Sequence, residues 1–105
     1  ADVTVELVAH QWYWEISQVE LPVNKDIAFE VRSADVNHNF AIYDEEDRLL
    51  VQAQAMPGYT NVARYRFDEP GTYTILCLEY CGLAHHAMMR ELNVLAEMGQ
   101  HDEQE

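Results

Sequence analysis

Apolar and polar residues alternate with a period of two in this chain, and this pattern limits the possible fold more than any other feature. The alternating segments lie near residues 3–7, 27–31, 65–67, 73–75 and 92–94. A period of two gives a β-strand one face for the core and one for solvent. Turn-forming residues separate the segments at 24–26, 44–47, 56–58 and 69–71. The pattern predicts an all-β fold, an antiparallel sandwich or barrel, with one short helical turn at 84–89.

The chain length indicates a single domain. At 105 residues the chain is too short for two ordinary domains, and it carries no internal repeat or low-complexity linker. A chain of this size buries roughly two thirds of its unfolded surface, so it needs no disulfides to fold. We expect one domain over residues 1–96 and a disordered acidic tail over residues 97–105.

Acidic residues dominate the charge. Six Lys and Arg stand against 19 Asp and Glu, a formal net charge of −13, which excludes nucleic acid as a partner. A basic partner is expected instead, although solubility or a salty habitat would explain the acidity equally well. No apolar run approaches the ~20 residues of a membrane helix, so the chain is expected to be soluble. Because it starts on a strand-like segment without Met, we also expect that a signal or membrane anchor has been removed.

Potential metal ligands are concentrated in residues 77–89. Thiolate and thioether sulfur favour Cu(I), and imidazole suits copper in either oxidation state. A blue copper site built here would need one more imidazole, and His38, which follows a predicted strand, is the natural candidate. The segment contributes two thiols, two imidazoles and two thioethers: Cys77, Cys81, His85, His86, Met88 and Met89.

The second cysteine favours two copper ions over one. A mononuclear blue site uses one thiolate, whereas two thiolates four residues apart can each touch both of two metal ions. Each ion would then keep one imidazole, from His38 or His85. Met88 would be a weak axial ligand on one side, and the backbone carbonyl of Glu79 could serve the other ion.

Two other uses of the cysteines stay open. Cys77 and Cys81 could form a disulfide, the commonest pairing in an oxidising compartment, although so small a loop contributes little stability. Alternatively, both cysteines with His38 and His85 could bind zinc as a Cys₂His₂ site. The zinc site would leave Met88 without a role.

The two pairs of identical neighbours in this segment, His85–His86 and Met88–Met89, also have simpler interpretations. Met88 and Met89 could both be core residues. Only one of two adjacent side chains can point inward, so His86 is expected to face solvent or to support a ligand. A catalytic Cys–His pair is not favoured, since no oxyanion hole or orienting acid accompanies it.

Together these residues resemble a known family. The pattern Cys-x₃-Cys-x₃-His-x₂-Met from Cys77, with Ser-Ala-Asp-Val-Asn-His at 33–38, is similar to the binuclear copper (CuA) domain of cytochrome c oxidase subunit II. Residues 10–14, 56–58 and 69–73 extend the similarity to about residues 3–95. The resemblance implies a cupredoxin-like Greek-key β-barrel holding two copper ions. The implied ligands are His38, Cys77, the carbonyl of Glu79, Cys81, His85 and Met88.

The resemblance also implies a function. Such a domain takes electrons from a soluble carrier such as cytochrome c and passes them to heme in the catalytic subunit of a terminal oxidase. It lies on the periplasmic side of the membrane, normally behind a membrane anchor. The acidic stretch 44–48 resembles a lengthened hairpin that departs from the family pattern. The adjacent pairs His85–His86 and Met88–Met89 also depart from it. The chain could therefore instead be the CuA domain of a nitric oxide or nitrous oxide reductase, and copper delivery is a further alternative.

Trp12 lies in the aromatic stretch of the resemblance, where an exposed indole marks the contact with the electron donor. The net charge of −13 would attract a basic cytochrome c towards it. The alternative is that Trp12 and Trp14 are ordinary core aromatics on one strand face. Alternate residues share a face, so both would then be buried.

Overall fold

The computed structural model describes residues 1–78 and 88–97. These residues form nine strands and no helix, and none of them belongs to a helix long and apolar enough to cross a membrane. The strands are β1 (Val3–His10), β2 (Tyr13–Ile16), β3 (Glu20–Pro22), β4 (Ile27–Ser33), β5 (His38–Tyr43), β6 (Leu49–Ala55), β7 (Asn61–Tyr65), β8 (Gly71–Cys77) and β9 (Met89–Leu95). One sheet has the order β2-β1-β4-β7 and the other β3-β9-β8-β5-β6.

The expected all-β fold is confirmed, but the sheets are mixed and not purely antiparallel. Strands β1 and β4 run parallel, and so do β3 and β9. The chain leaves the first sheet after β2, adds β3 to the second sheet and returns as β4. A parallel neighbour requires such a crossover, and turn spacing in the sequence does not reveal it.

Three local predictions differ from the structure. The alternation at 65–67 predicts a strand through Phe67, but β7 ends at Tyr65, and Phe67 is buried beyond it. The alternating segments also do not include the strands β2, β3, β5 and β6. Of the helical turn predicted at 84–89, residues 84–87 lie outside the described part, and Met89 begins β9. Residues 98–105 of the predicted tail also lie outside it.

The core lies between the sheets and is rich in aromatic rings. The Phe40 ring centre lies 5.9 Å from that of Trp14 and 5.5 Å from that of Phe29. The row continues from Phe29 through Phe67 to Tyr73. Each fully buried side chain of this size contributes roughly 1.5–3 kcal/mol. The row thus links Trp14 to Tyr73 across the core.

The acidic hairpin at 44–48 joins β5 to β6, as the sequence predicts. One carboxylate oxygen of Asp44 accepts hydrogen bonds from the amides of Glu46 and Arg48, each at 2.9 Å, and the other accepts from Arg48 Nε at 2.8 Å. The bond from the Arg48 amide is the main reason why the pKa of Asp44 is lowered. Asp47 adopts a positive φ of 64°, which Asp tolerates better than most residues.

Strand directions define two ends of the barrel. Strand β5 starts at His38 and runs to Tyr43, next to the acidic hairpin. One end, which we call the His38 end, is formed by residues 10–13, 34–38, 56–60, 78 and 88–89. The other, formed by residues 1–2, 24–26, 44–48 and 66–71, is the Asp44 end.

Candidate metal centre

His38 and Cys77 meet because they lie on neighbouring antiparallel strands. Phe40 of β5 pairs with Cys77 of β8, so His38, two residues before Phe40, is a diagonal neighbour of Cys77 on the same inward face. The Cys77 Sγ atom lies 3.9 Å from His38 Nδ1, and both side chains are buried. The sheet thus brings a thiol and an imidazole together at its end.

The spacing of these two atoms fits a shared metal ion. In zinc sites with the same donor atoms, metal–sulfur bonds are about 2.3 Å and metal–nitrogen bonds about 2.0 Å long. An ion bound to both atoms holds them slightly closer than the sum of the two bonds, and 3.9 Å meets that condition. Thiolate sulfur with imidazole nitrogen suits copper or zinc.

Asp35 fixes the orientation of the imidazole. Its Oδ1 atom lies 2.9 Å from His38 Nε2, and the two oxygens also accept hydrogen bonds from the amides of Gln11 and Val36. A carboxylate on Nε2 assigns the ring proton to that nitrogen, which leaves the Nδ1 lone pair facing Cys77. The sequence analysis missed this role. The position of Asp35, three residues before the candidate ligand His38, could have indicated it.

The Asp35 carboxyl group is held in its charged form. Burial raises its pKa, but the hydrogen bonds from His38, Gln11 and Val36 together outweigh burial and lower the pKa to about 2. The group is therefore ionised at neutral pH. It acts as an acceptor for the ring N–H of His38.

Met88 is buried next to the same position. Met89 pairs with Leu76, so one further step along the register brings Met88 level with Cys77. Met88 is 1% exposed and Met89 is 57% exposed, which means that the two methionines point to opposite faces. The interpretation of both as core residues is therefore wrong for Met89, whereas Met88 belongs to the buried core next to Cys77.

Trp14 covers the inner side of His38. The two ring centres are 6.3 Å apart, and Trp14 is fully buried. Arg90 Nη1 donates a 3.0 Å hydrogen bond to the carbonyl oxygen of Trp14 and so ties β9 to β2. The sequence analysis did not find this contact, because 76 positions separate the two residues.

Trp12 lies in the turn between β1 and β2 at the same end of the barrel. It is 37% exposed, whereas Trp14 is buried, so the alternative that both are core aromatics is wrong. The neighbouring Gln11 amide donates to Asp35 at 2.7 Å. One carboxylate therefore connects the Trp12 turn with His38.

The remaining candidate ligands, Glu79, Cys81 and His85, lie outside the described residues, as does His86. They belong to the connection between β8 and β9, two strands that end and begin at the His38 end. Within residues 1–78 and 88–97, no group of three or more His, Cys, Asp and Glu residues could hold a metal ion. A complete centre would therefore need donors from this connection.

Two β-sheets that bring a His and a Cys together at one end define a cupredoxin-like domain. The periplasmic domain of cytochrome c oxidase subunit II matches residues 15–94. The chain belongs to this family, and both the predicted family and the predicted cupredoxin-like fold are confirmed. Membership implies copper binding.

Individual relatives agree with this assignment. Cytochrome c oxidase subunit 2 of Thermus thermophilus is 33% identical over 85 residues, which cover 81% of this chain and 60% of the relative. The periplasmic domain of the Bradyrhizobium japonicum oxidase subunit II (CoxB) superimposes with a TM-score of 0.78 at 23% identity and covers 99% of this chain and 90% of that one. Auracyanin B has a TM-score of 0.73 at 18% identity, with 89% and 88% covered. The chain thus spans about half to three fifths of the first curated relatives it matches.

Proposed function

We propose that this domain binds a binuclear CuA centre and transfers electrons within a terminal oxidase. It accepts electrons one at a time from a soluble carrier such as cytochrome c, and passes them to heme in the catalytic subunit. Trp12 is the point where electrons enter. The two copper ions are held by His38, Cys77, the carbonyl of Glu79, Cys81, His85 and Met88.

The 3.9 Å approach of Cys77 Sγ to His38 Nδ1 carries this proposal. Asp35 keeps Nδ1 available to a metal, and the buried side chain of Met88 lies level with the thiol. A binuclear copper centre held by these residues would supply one-electron transfer with little structural change on oxidation. The residues around the site supply a rigid, mostly buried frame that supports such a centre.

The family relation supports the oxidase over the other CuA enzymes. The named relatives are cytochrome c oxidase subunits, which favours oxygen over nitric or nitrous oxide as the terminal acceptor. Copper delivery and structural zinc are the competing classes. Reversible one-electron reduction separates electron transfer from both.

The same family relation supports a periplasmic location. The matching family is described as a periplasmic domain. We place this domain on the outer face of the cytoplasmic membrane, held there by an anchor in the full-length protein, where a soluble donor reaches the His38 end.

Replacing Met88 with leucine is expected to keep both coppers and raise or lower the reduction potential. A weak axial thioether tunes the centre and does not assemble it. The change is measured by redox titration of the visible spectrum, with Met89→Leu as the matched control, because Met89 points to solvent. Loss of both coppers in Met88→Leu, or an equal shift in the control, would show that Met88 is not the axial ligand.

Replacing Trp12 with alanine is expected to slow electron transfer from the donor by about tenfold or more, since an aromatic contact residue commonly contributes ~1.4 kcal/mol or more. The copper spectrum should not change. Stopped-flow reduction by cytochrome c measures the effect. Leu49→Ala, which removes an exposed apolar side chain at the start of β6 and away from the His38 end, is the control. Equal rates in the Trp12 variant and the native chain would mean that electrons enter elsewhere.

A further inference from the structure

Two strand edges lie side by side next to the candidate metal centre. Strand β2 is the edge strand of its sheet. Strand β9 has β8 along one side, but on its other side β3 pairs only with residues 93–95. Among the described residues, the first half of β9, which begins directly after Met88, therefore has no strand paired to that side. A side chain connects the two edges here instead.

Arg90 makes this connection. It pairs with the buried residue Ile75, so its side chain starts on the inward face of the sheet, where arginine is rare. The side chain then reaches across to β2, and Nη1 donates a 3.0 Å hydrogen bond to the carbonyl oxygen of Trp14. A charged donor makes such a bond stronger than a bond between two neutral groups. The bond braces the first half of β9 against β2.

Both ends of this bond belong to segments that border the candidate centre. Trp14 packs against His38, with 6.3 Å between the ring centres. Met88, two residues before Arg90, is buried and lies one residue beyond the last pair of the β8–β9 ladder. The ladder itself does not fix Met88. Its position therefore depends on how firmly the start of β9 is held.

A weak axial ligand is sensitive to such a displacement. In copper sites the axial thioether bond is long, and the axial ligand contributes to setting the reduction potential. We infer that Arg90 is a positioning residue that fixes Met88 and thereby sets the reduction potential of the copper centre. This inference rests on the proposed function. The guanidinium group carries only hydrogen-bond donors and cannot bind the metal itself, so Arg90 acts through Met88.

The positive charge of Arg90 is a different route to a change in potential, because a nearby cation favours the reduced centre. A double-mutant cycle with Met88 separates the two routes. If Arg90 acts through Met88, its replacement has little effect once the thioether is gone. If its charge acts directly on the centre, the effect is the same with and without Met88.

The cycle compares the reduction potentials of the copper-loaded native chain, Arg90→Leu, Met88→Leu and the double variant. Arg90→Leu should shift the equilibrium constant for reduction by about threefold or more, in the same direction as Met88→Leu, since both weaken the axial ligand. In the Met88→Leu background it should add little. Arg32→Leu, which removes an exposed arginine from β4, is the matched control and should leave the potential unchanged at ~1 M salt, where the Debye length is ~3 Å. No shift in Arg90→Leu, or an equal shift in both backgrounds, would overturn the inference.

The copper-free chain provides a test that does not depend on the metal. The chain has four methionines, so ¹³C-methyl labelling gives a simple spectrum, in which Met88→Leu identifies the Met88 signal. Arg90→Leu should shift or broaden this signal and speed amide hydrogen exchange at residues 89–91 by about tenfold, whereas Arg32→Leu should do neither. An unchanged Met88 signal with unchanged exchange would refute the inference. If the chain binds no copper, or Met88→Leu leaves the potential unchanged, the proposed function fails at that point, and the copper-free spectra still decide whether Arg90 positions Met88.

Discussion

Replacing Cys77 with serine is expected to abolish the binuclear copper centre. A hydroxyl group is a poor bridge between two soft copper ions, and Cys77 is the buried thiol that faces Nδ1 of His38. Copper content should fall from two ions to at most one per chain. The electron paramagnetic resonance (EPR) spectrum of the oxidised protein should lose the signature of a shared electron.

Leu78→Ser is the matched control for this change. Leu78 is the exposed neighbour of Cys77, so the control introduces the same side chain without touching the candidate centre. It should retain two coppers and the native spectrum. Two coppers with an unchanged spectrum in Cys77→Ser would contradict a bridging role for this thiol.

Replacing Asp35 with alanine is expected to weaken copper binding by about 10–100-fold, the usual cost of losing the partner that orients a ligand His. Without the carboxylate, the ring proton of buried His38 is free to move to Nδ1, where it competes with the metal. The orphaned Nε2–H should also lower the free energy of unfolding by about 1–3 kcal/mol. Competition with a copper chelator measures the affinity, and urea unfolding of the copper-free chain measures the stability.

Asp68→Ala separates this effect from a general loss of negative charge. Asp68 is exposed at the Asp44 end, and its replacement should change neither the copper affinity nor the unfolding free energy measurably. If Asp35→Ala lowered stability but left the copper affinity unchanged, Asp35 would only stabilise the loop at residues 34–37 and would not orient His38 for the metal.

Alternation of apolar residues was enough to predict β1, β4, β8 and β9, because one buried face leaves a clear period of two. It failed where other interactions decide the structure. Strand β3 has only three residues and contains Pro22, too few to show a period. Phe67 continues the alternation of β7 but is buried beyond the end of the strand. The parallel pairing of β1 with β4 depends on how the chain crosses between sheets, which no local pattern records.

At the site, the types and spacing of the candidate ligands were readable from the sequence, but most of the contacts that support them were not. His38 and Cys77 were predicted together, and their strands bring them within 3.9 Å. The contact of Arg90 with the Trp14 carbonyl depends on the packing of two sheets, so no sequence spacing indicates it. The net charge was also readable, but the placement of eight of the 19 acidic residues at the Asp44 end follows from the directions of the strands.

The central claim is a pair of copper ions that share one electron, and the oxidised protein tests it most directly. Metal analysis should find two copper ions per chain, and EPR should show one unpaired electron per pair, coupled to both copper nuclei. One copper per chain with the spectrum of a mononuclear blue site, or zinc in place of copper, would contradict the account.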